Sequence, residues 1–399
     1  MNATPSLADL FAARDRDAYL AGLAGQGPVS RGRYFDGTPI WIVTGHPESL
    51  TVLTDARFGS DPARQTAIDV AAVAGLPADV APYLMRTLGV YDPPDHTRLR
   101  RLVARGFTAR RVEHLRPRIR EITDRLLDGL PPRCDLLAEF ACPLPIQVIC
   151  ELLGVPEGDR AVWRGWAAEL TAPDLDRVAA GARGLVGYMT ALIGAKRARG
   201  GDDLISALIR VREEDGDRLT DEELTALSIS VLIAGHETTV GLISQSVRLL
   251  LTRPELADFL RADPSRVPAA VEEFLRWTGP AEIAVMRYAR APVELAGVAI
   301  AAGEAVQVVY AAANRDPRRF DAPGLLDPAR PDNGHLGFGH GIHYCLGAAL
   351  ARAETQIALE RLLSRFPRLA LVVEPAELTW RPGPQRALTA LPVQLTAPA

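Results

Sequence analysis

Near its C-terminal end the chain reads Phe338-Gly339-His340-Gly341-Ile342-His343-Tyr344-Cys345-Leu346-Gly347, one cysteine presented by a glycine-punctuated loop. The spacing predicts Cys345 in the first turn of a helix, where free N–H groups and the helix dipole favour a charged sulfur. A thiolate is a good ligand for iron. Gly339, Gly341 and Gly347 permit backbone angles, and a close approach to a flat ligand, that a Cβ would obstruct. Leu346, Leu350, Ala353 and Ile357 then recur at helical spacing, in a helix that must stop before Pro367. Cys134, Cys142 and Cys150 have no such loop and no paired or metal-type spacing, so they read as core thiols.

A second group with chemical potential is Ala234-Gly235-His236-Glu237-Thr238-Thr239. Leu224, Leu227, Val231, Ala234 and Thr238 share one face of a helix opened by a Thr220-x-x-Glu223 capping box. A helix from Asp221 to Thr252 spans roughly 48 Å at about 1.5 Å per residue. Glycine at its middle costs about 1 kcal/mol, and threonine is a mediocre helix former. Adjacent carboxylate and hydroxyl groups beside a glycine can hold water and relay protons to a ligand. The alternative is a kink with a threonine bonded back to its own turn.

Two further spacings stand out. Glu273 and Arg276 lie on one helix face, which alone implies only an ion pair. His96 and Arg100 likewise share a face, with Arg98, Arg101 and Arg105 nearby as ordinary surface charge.

With Leu350-Ala351-Arg352 after it, the cysteine segment resembles the haem-binding signature of the cytochrome P450 family. Ala313-Asn314-Arg315-Asp316-Pro317 and Gly27-Pro28-Val29 match too, so the resemblance runs from about residue 20 to the end. It implies a mainly α fold with small β-sheets and haem b, with Cys345 as the iron ligand. Phe338, Gly339, His343 and Gly347 would cradle the haem, and His96, Arg100, Arg287 and His343 would hold its propionates. Glu237 and Thr238 would serve oxygen activation. Glu273, Arg276 and Arg330 would form a buried ion-pair network behind the haem.

The substrate pocket, by the same resemblance, is lined by the 60–92 loop, the helices around 160–190, Ala234, Gly235, Ala284, Val285 and Leu388. Small apolar residues there favour a bulky hydrophobic substrate oxidised in secondary metabolism, polyketide- or macrolide-like and either free or carrier-bound. Glu282 and Arg386 read either as polar recognition groups or as surface charges. One departure is Ala387, where the family commonly has glycine. Aryl coupling without oxygen insertion is an alternative activity, and a non-enzymatic haem-binding protein is another.

The elements needed to position these groups are legible in outline. Ile40-Trp41-Ile42-Val43 is β-prone, a helix opens at Glu48-Ser49-Leu50, and residues 97–282 are nearly all helical. Loops fall at Pro131-Pro132, Gly200-Gly201 and Asp215-Gly216, and short strands return at 293–295, 306–309 and 391–393. Residues near 96, 237, 287 and 345 must meet one cofactor, so the expectation is a single integrated domain over 1–399.

The chain has 399 residues, of which 24% are charged and 48% hydrophobic, enough for a large core. A formal net charge of −4 gives no electrostatic reason to expect nucleic acid. No basic-then-apolar signal opens the sequence, and the strongest apolar run, 227–234, is shorter than the roughly 20 residues of a membrane span. A cytoplasmic protein with no membrane association is expected. No Gly-x-Gly-x-x-Gly follows a strand, so electrons must come from NAD(P)H through a ferredoxin and its reductase. Docking is expected near Arg98, Arg101, Arg105 and Arg352.

Overall fold

The computed structural model describes residues 4–62, 76–170, 174–211 and 218–395. The chain falls into two compact units. One comprises Met1–Ser60, Thr123–Ala141 and Thr238–Ala399, the other Asp61–Ile122 and Cys142–Glu237. The architecture is mainly α with small sheets, as expected.

All ten described strands belong to the first unit: β1 (Val29–Arg33), β2 (Pro39–Val43), β3 (Phe58–Gly59), β4 (Arg133–Asp135), β5 (Arg287–Ala289), β6 (Val293–Leu295), β7 (Val298–Ile300), β8 (Ala305–Val308), β9 (Ala370–Leu371) and β10 (Pro392–Gln394). The main sheet has the order β1-β2-β8-β5-β3, with β2 and β8 parallel and in register from Trp41 opposite Val306 to Val43 opposite Val308. Alternate residues of β2 enter different clusters. Ile40 and Ile42 pack with Leu7, Leu10, Tyr288 and Ala305, while Trp41 and Val43 pack with Val306, Val308 and Ala289. Burial on both faces is why β2 reads as a continuous apolar run and not as an alternating one.

The central sheet also holds the segment ahead of β5. Ala284 N–H donates to the Val308 carbonyl at 3.0 Å, and the buried Gln307 amide donates to the Ala284 carbonyl at 2.8 Å.

The second unit is built of helices among its described residues, including Asp95–Ala104, Pro143–Leu153, Arg160–Glu169 and Leu175–Arg199. Pro143–Leu153 ends at Gly154, whose φ of 69° allows Val155 N–H to reach the Cys150 carbonyl at 2.8 Å. Leu175–Arg199 starts on Asp174, which caps Asp176 and Arg177, and stops at Gly200. The Asp215-Gly216 loop lies outside the described residues.

The long helix runs from Asp221 to Thr252. Its capping box is formed: Glu223 N–H donates to Thr220 Oγ1 at 3.1 Å, and Thr220 N–H donates to Glu223 Oε2 at 2.8 Å. The helix is unbroken through Gly235, and the boundary between the units falls between Glu237 and Thr238.

Three expectations change. Cys345 is not in the helix that follows, because that helix begins at Ala348 with Gly347 as its N-cap. The 306–309 strand ends one residue early, Val309 capping a short helix from Tyr310. Finally, Leu175–Arg199 and Asp221–Thr252 both reach the length and mean hydropathy of a membrane span, so the short apolar run at 227–234 underrated this chain's helices. Small uncharged residues extend the apolar stretch, and 56% of the most apolar window of Asp221–Thr252 is buried.

Candidate active site

The cysteine loop is shaped by glycines with different duties. Gly339 and Gly341 both take φ of 69°, where a side chain is strained, and a Cβ on Gly341 would stand 2.4 Å from the Leu53 carbonyl oxygen. Gly347 has an ordinary φ of −85°, and a Cβ there would meet no atom within 4 Å. The peptide therefore needs glycine at 339 and 341 but not at 347. Between them, Gly341–His343 forms a 3₁₀ turn, Cys345 N–H donates to the Phe338 carbonyl at 2.9 Å, and Ala348 N–H reaches the Cys345 carbonyl at 3.4 Å. Cys345 is exposed, Cys150 is buried, and Cys134 and Cys142 are half-buried.

Two ionic networks hold this loop from the helix Val267–Thr278. Arg276 Nε and Nη2 donate to the two Glu273 oxygens at 2.8 and 2.7 Å, with neither side chain exposed. Arg330 Nε donates to Glu273 Oε2 at 3.2 Å, as do Asn333 Nδ2 at 2.9 Å and the Asp327 N–H to Oε1 at 2.8 Å. Arg276 spends its remaining donors on the carbonyls of Asn314, Pro323 and Leu325. The segment entering the cysteine loop is thus tied to one buried carboxylate.

The neighbouring Glu272 forms the second network. It accepts from Arg352 Nε and Nη2, each at 2.7 Å, and lies 3.1 Å from His335 Nε2. Gly337 N–H donates to His335 Nδ1 at 3.0 Å, so the proton on that ring sits on Nε2 and points at Glu272. Burial pushes the Glu272 carboxyl up, but the bonds from Arg352 and His335 outweigh it and hold the group at about 2. Arg352 also stacks over Phe338 at 4.5 Å and donates to Tyr344 Oη at 3.1 Å.

The other predicted residues divide between the units. Arg287, His343, Ala284, Val285, Thr238 and Leu388 belong to the first unit, and His96, Arg100, Ala234, Gly235 and Glu237 to the second. Arg287 is buried in β5 and donates to the Val285 carbonyl at 3.1 Å. His343 Nε2 lies 3.2 Å from Ser60 Oγ. His96 and Arg100 share the helix Asp95–Ala104, with His96 buried. Ala234 is exposed at the middle of the long helix, and its neighbours Ile233, Gly235, His236, Glu237 and Thr238 are half-buried. Part of the 60–92 loop, residues 63–75, lies outside the described residues, as do 171–173.

Glu282 and Arg386 are not surface charges. Glu282 is 1% exposed and pairs with Arg16 at 2.6 Å, and Arg386 pairs with Asp17 at 2.6 Å. Of the expected docking arginines, Arg98 is engaged by Glu223 at 2.7 Å and Arg352 by Glu272.

A sequence profile described as Cytochrome P450 matches residues 195–375. The cytochrome P450 monooxygenase PikC of Streptomyces venezuelae is 46% identical over 98% of this chain and 95% of its own. The chain belongs to the cytochrome P450 family. The mycinamicin IV hydroxylase/epoxidase of Micromonospora griseorubida is 43% identical, covering 89% of each chain. Among solved structures, the tirandamycin C-bound P450 monooxygenase TamI aligns with a TM-score of 0.88 and 40% identity over 98% of this chain and 100% of its own. This cytochrome P450 is therefore a haem-thiolate monooxygenase.

The residues present fit a haem. Cys345 is exposed on a braced loop, and Gly347 has the open space that a flat macrocycle needs although the backbone does not require glycine there. No group of three or more His, Cys, Asp or Glu among the described residues is arranged for a metal ion.

Several members of the P450 site were not legible in advance. Asn333 had no signal, since a lone asparagine in a loop reads as a turn residue. Glu272 and His335 were findable only as the doubled acid of Glu272-Glu273 and a third histidine, just ahead of the loop that holds His340 and His343. Tyr310 is buried beside the loop, its hydroxyl 3.1 Å from where a Gly339 Cβ would stand. Burial pushes its phenol up to about 12, against the opposing charge of Arg287 and with a smaller push from Cys345.

Proposed function

We propose that this P450 oxidises a bulky, mostly apolar polyketide- or macrolide-like molecule at a C–H or C=C bond. Support comes from the small residues Ala234, Gly235 and Ala284 among the proposed pocket residues, and from relatives whose names specify mycinamicin and tirandamycin. The observation that carries the reading is the Glu237-Thr238 pair at the middle of an unbroken helix, a position that helix stability disfavours.

Cys345 would bind the iron, and Phe338, Gly339 and Gly347 would lie against the haem. His96, Arg100, Arg287 and His343 would donate to the propionates. When bound, the haem supplies the oxygen chemistry, and a thiolate ligand favours O–O cleavage. The Glu237 carboxylate takes protons from water and passes them to Thr238 Oγ1, which delivers them at the reaction centre. Ala284, Val285 and Leu388 exclude water and orient the substrate. Glu273, Arg276 and Arg330 keep the cysteine loop in place.

The proposal includes a single functional domain over 1–399, a cytoplasmic location, and electrons from NAD(P)H through a ferredoxin reductase and a ferredoxin. The exposed Arg101 and Arg105, together with Arg98 and Arg352, are the docking candidates. The substrate reaches the enzyme either free or tethered to a carrier protein.

Optical titration of the purified holoenzyme with macrolides, other polyketides, terpenes, fatty acids and aromatics tests this. A low-spin to high-spin shift with polyketides alone supports the reading. A shift confined to fatty acids or aromatics would overturn it.

A further inference from the structure

The C-terminal loop 381–388 carries Leu388, and among the described residues it is tied not by a strand ladder but by the isolated bridges Ala281 to Gln385 and Trp380 to Leu388. A guanidinium from the other end of the chain adds to them. Arg16, only 7% exposed, pairs through Nη1 with Glu282 Oε2 at 2.6 Å. Its remaining donors face the carbonyls of Gln385 at 3.5 Å, Gly383 at 3.3 Å, Arg381 at 3.4 Å and Phe11 at 3.1 Å.

Glu282 sits two residues before Ala284 and three before Val285. Its own carbonyl accepts from Ala311 N–H at 3.1 Å, which fixes the segment on its other side. Next along the loop, Arg386 N–H donates to the Pro280 carbonyl at 3.1 Å, and the Gln245 amide of the long helix donates to the Arg386 carbonyl at 3.3 Å. The long helix approaches closely here: a Cβ on Gly241 would stand 2.8 Å from Pro280 Cβ. One buried ion pair therefore ties together the 281–285 segment and the 381–388 loop.

We propose that Arg16 is a positioning residue for substrate selection. By clamping Glu282 and the loop carbonyls, it sets how the exposed Val285, backed by the buried Ala284 and Leu388, forms a wall of the substrate site. A planar fork with five donors suits this task, since it bridges a carboxylate and several carbonyls at once. Arg16 touches neither substrate nor haem. The inference rests on the proposed placement of Ala284, Val285 and Leu388 at the substrate.

The test uses the holoenzyme and two azole probes that bind haem iron. Imidazole reads access to the iron, and 4-phenylimidazole adds an aryl group that reads the wall. Arg16→Met and Glu282→Gln are each expected to weaken 4-phenylimidazole about tenfold while imidazole stays within about twofold, a difference of near 1 kcal/mol between the probes. Arg16→Lys, which retains the pair with Glu282, is expected to recover most of the loss. Equal weakening of both azoles, or a lowered melting temperature with both affinities unchanged, would show a merely structural clamp and overturn the proposal. Leu388→Ala checks the wall itself. If it leaves 4-phenylimidazole unaffected, the substrate-site placement is wrong and the inference falls with it, whereas an effect of Leu388→Ala without one of Arg16→Met rejects Arg16 alone.

Discussion

Glu273 and Arg276, one helical turn apart, make two parallel hydrogen bonds with both side chains fully withdrawn from water. Every Glu273 oxygen has a further partner, so the desolvation of the pair is offset by a complete set of bonds to the segment that enters the cysteine loop. Removing one member leaves the other charged and buried. Arg276→Ala is expected to destabilise the protein by about 3 to 5 kcal/mol. Chemical denaturation of the apoprotein would show this, with haem retention on gel filtration falling in parallel. A holoenzyme of ordinary stability and full haem content would contradict the assigned role.

The two kinds of glycine predict opposite phenotypes. Gly341→Ala forces a side chain into φ of 69° and against the Leu53 carbonyl, so a loss of at least about 2 kcal/mol in apoprotein stability is expected. Gly347→Ala meets nothing in the protein, and apoprotein stability should change by less than about 0.5 kcal/mol. Haem binding should suffer in the second variant all the same. Measuring apoprotein unfolding and haem affinity side by side separates backbone need from ligand need.

Glu272 gives a pH dependence whose sign is determined by its depressed folded-state value. The carboxylate contributes stability that is fully present above its unfolded value of about 4.3 and is lost as pH falls from there through about 2. Glu272→Gln should flatten the acid limb of a plot of unfolding free energy against pH. Coincident limbs in the two proteins would remove Glu272 as its source.

Glu354 behaves in the opposite way. It is 1% exposed in the helix Ala348–Arg365, its Oε2 has no hydrogen-bond partner among the described residues, and burial holds its carboxyl well above the ordinary carboxylate range. Its contribution is present below about pH 4.3 and lost as pH rises through the elevated folded value. Glu354→Met, of similar volume, is expected to be neutral or stabilising, with an advantage that grows with pH. Parallel stability curves would show that the carboxyl does not titrate in this way.

Proton delivery is the role proposed for Thr238. Thr238→Ala should lower product formed per NAD(P)H consumed and raise peroxide release, while Soret shifts on substrate binding persist. Unaltered coupling would reassign the role to another group.

The local order of this protein is written in short-range patterns. Helical periodicity and the Thr220-x-x-Glu223 box place the long helix from Asp221 to Thr252, and the apolar run 40–43 places β2, because capping and burial act over a few residues. Cys345, with its glycine loop, is legible for the same reason. The strands β1, β3, β4, β5, β7 and β9 are not: β1 is interrupted by Ser30, Arg31 and Gly32, the others have only two or three residues, and β3 and β4 depend on partners distant in sequence.

What the sequence by itself determined was the chemistry on offer: one thiolate candidate, one carboxylate–hydroxyl pair, and charged residues at helical spacing. Only the tertiary structure decided which charges are buried and whom they meet. Arg16 and Glu282 stand 266 residues apart, and Glu272 and Arg352 stand 80 apart. An ion pair's energy depends on its exclusion from water and on the geometry of its partners, which a linear sequence does not specify.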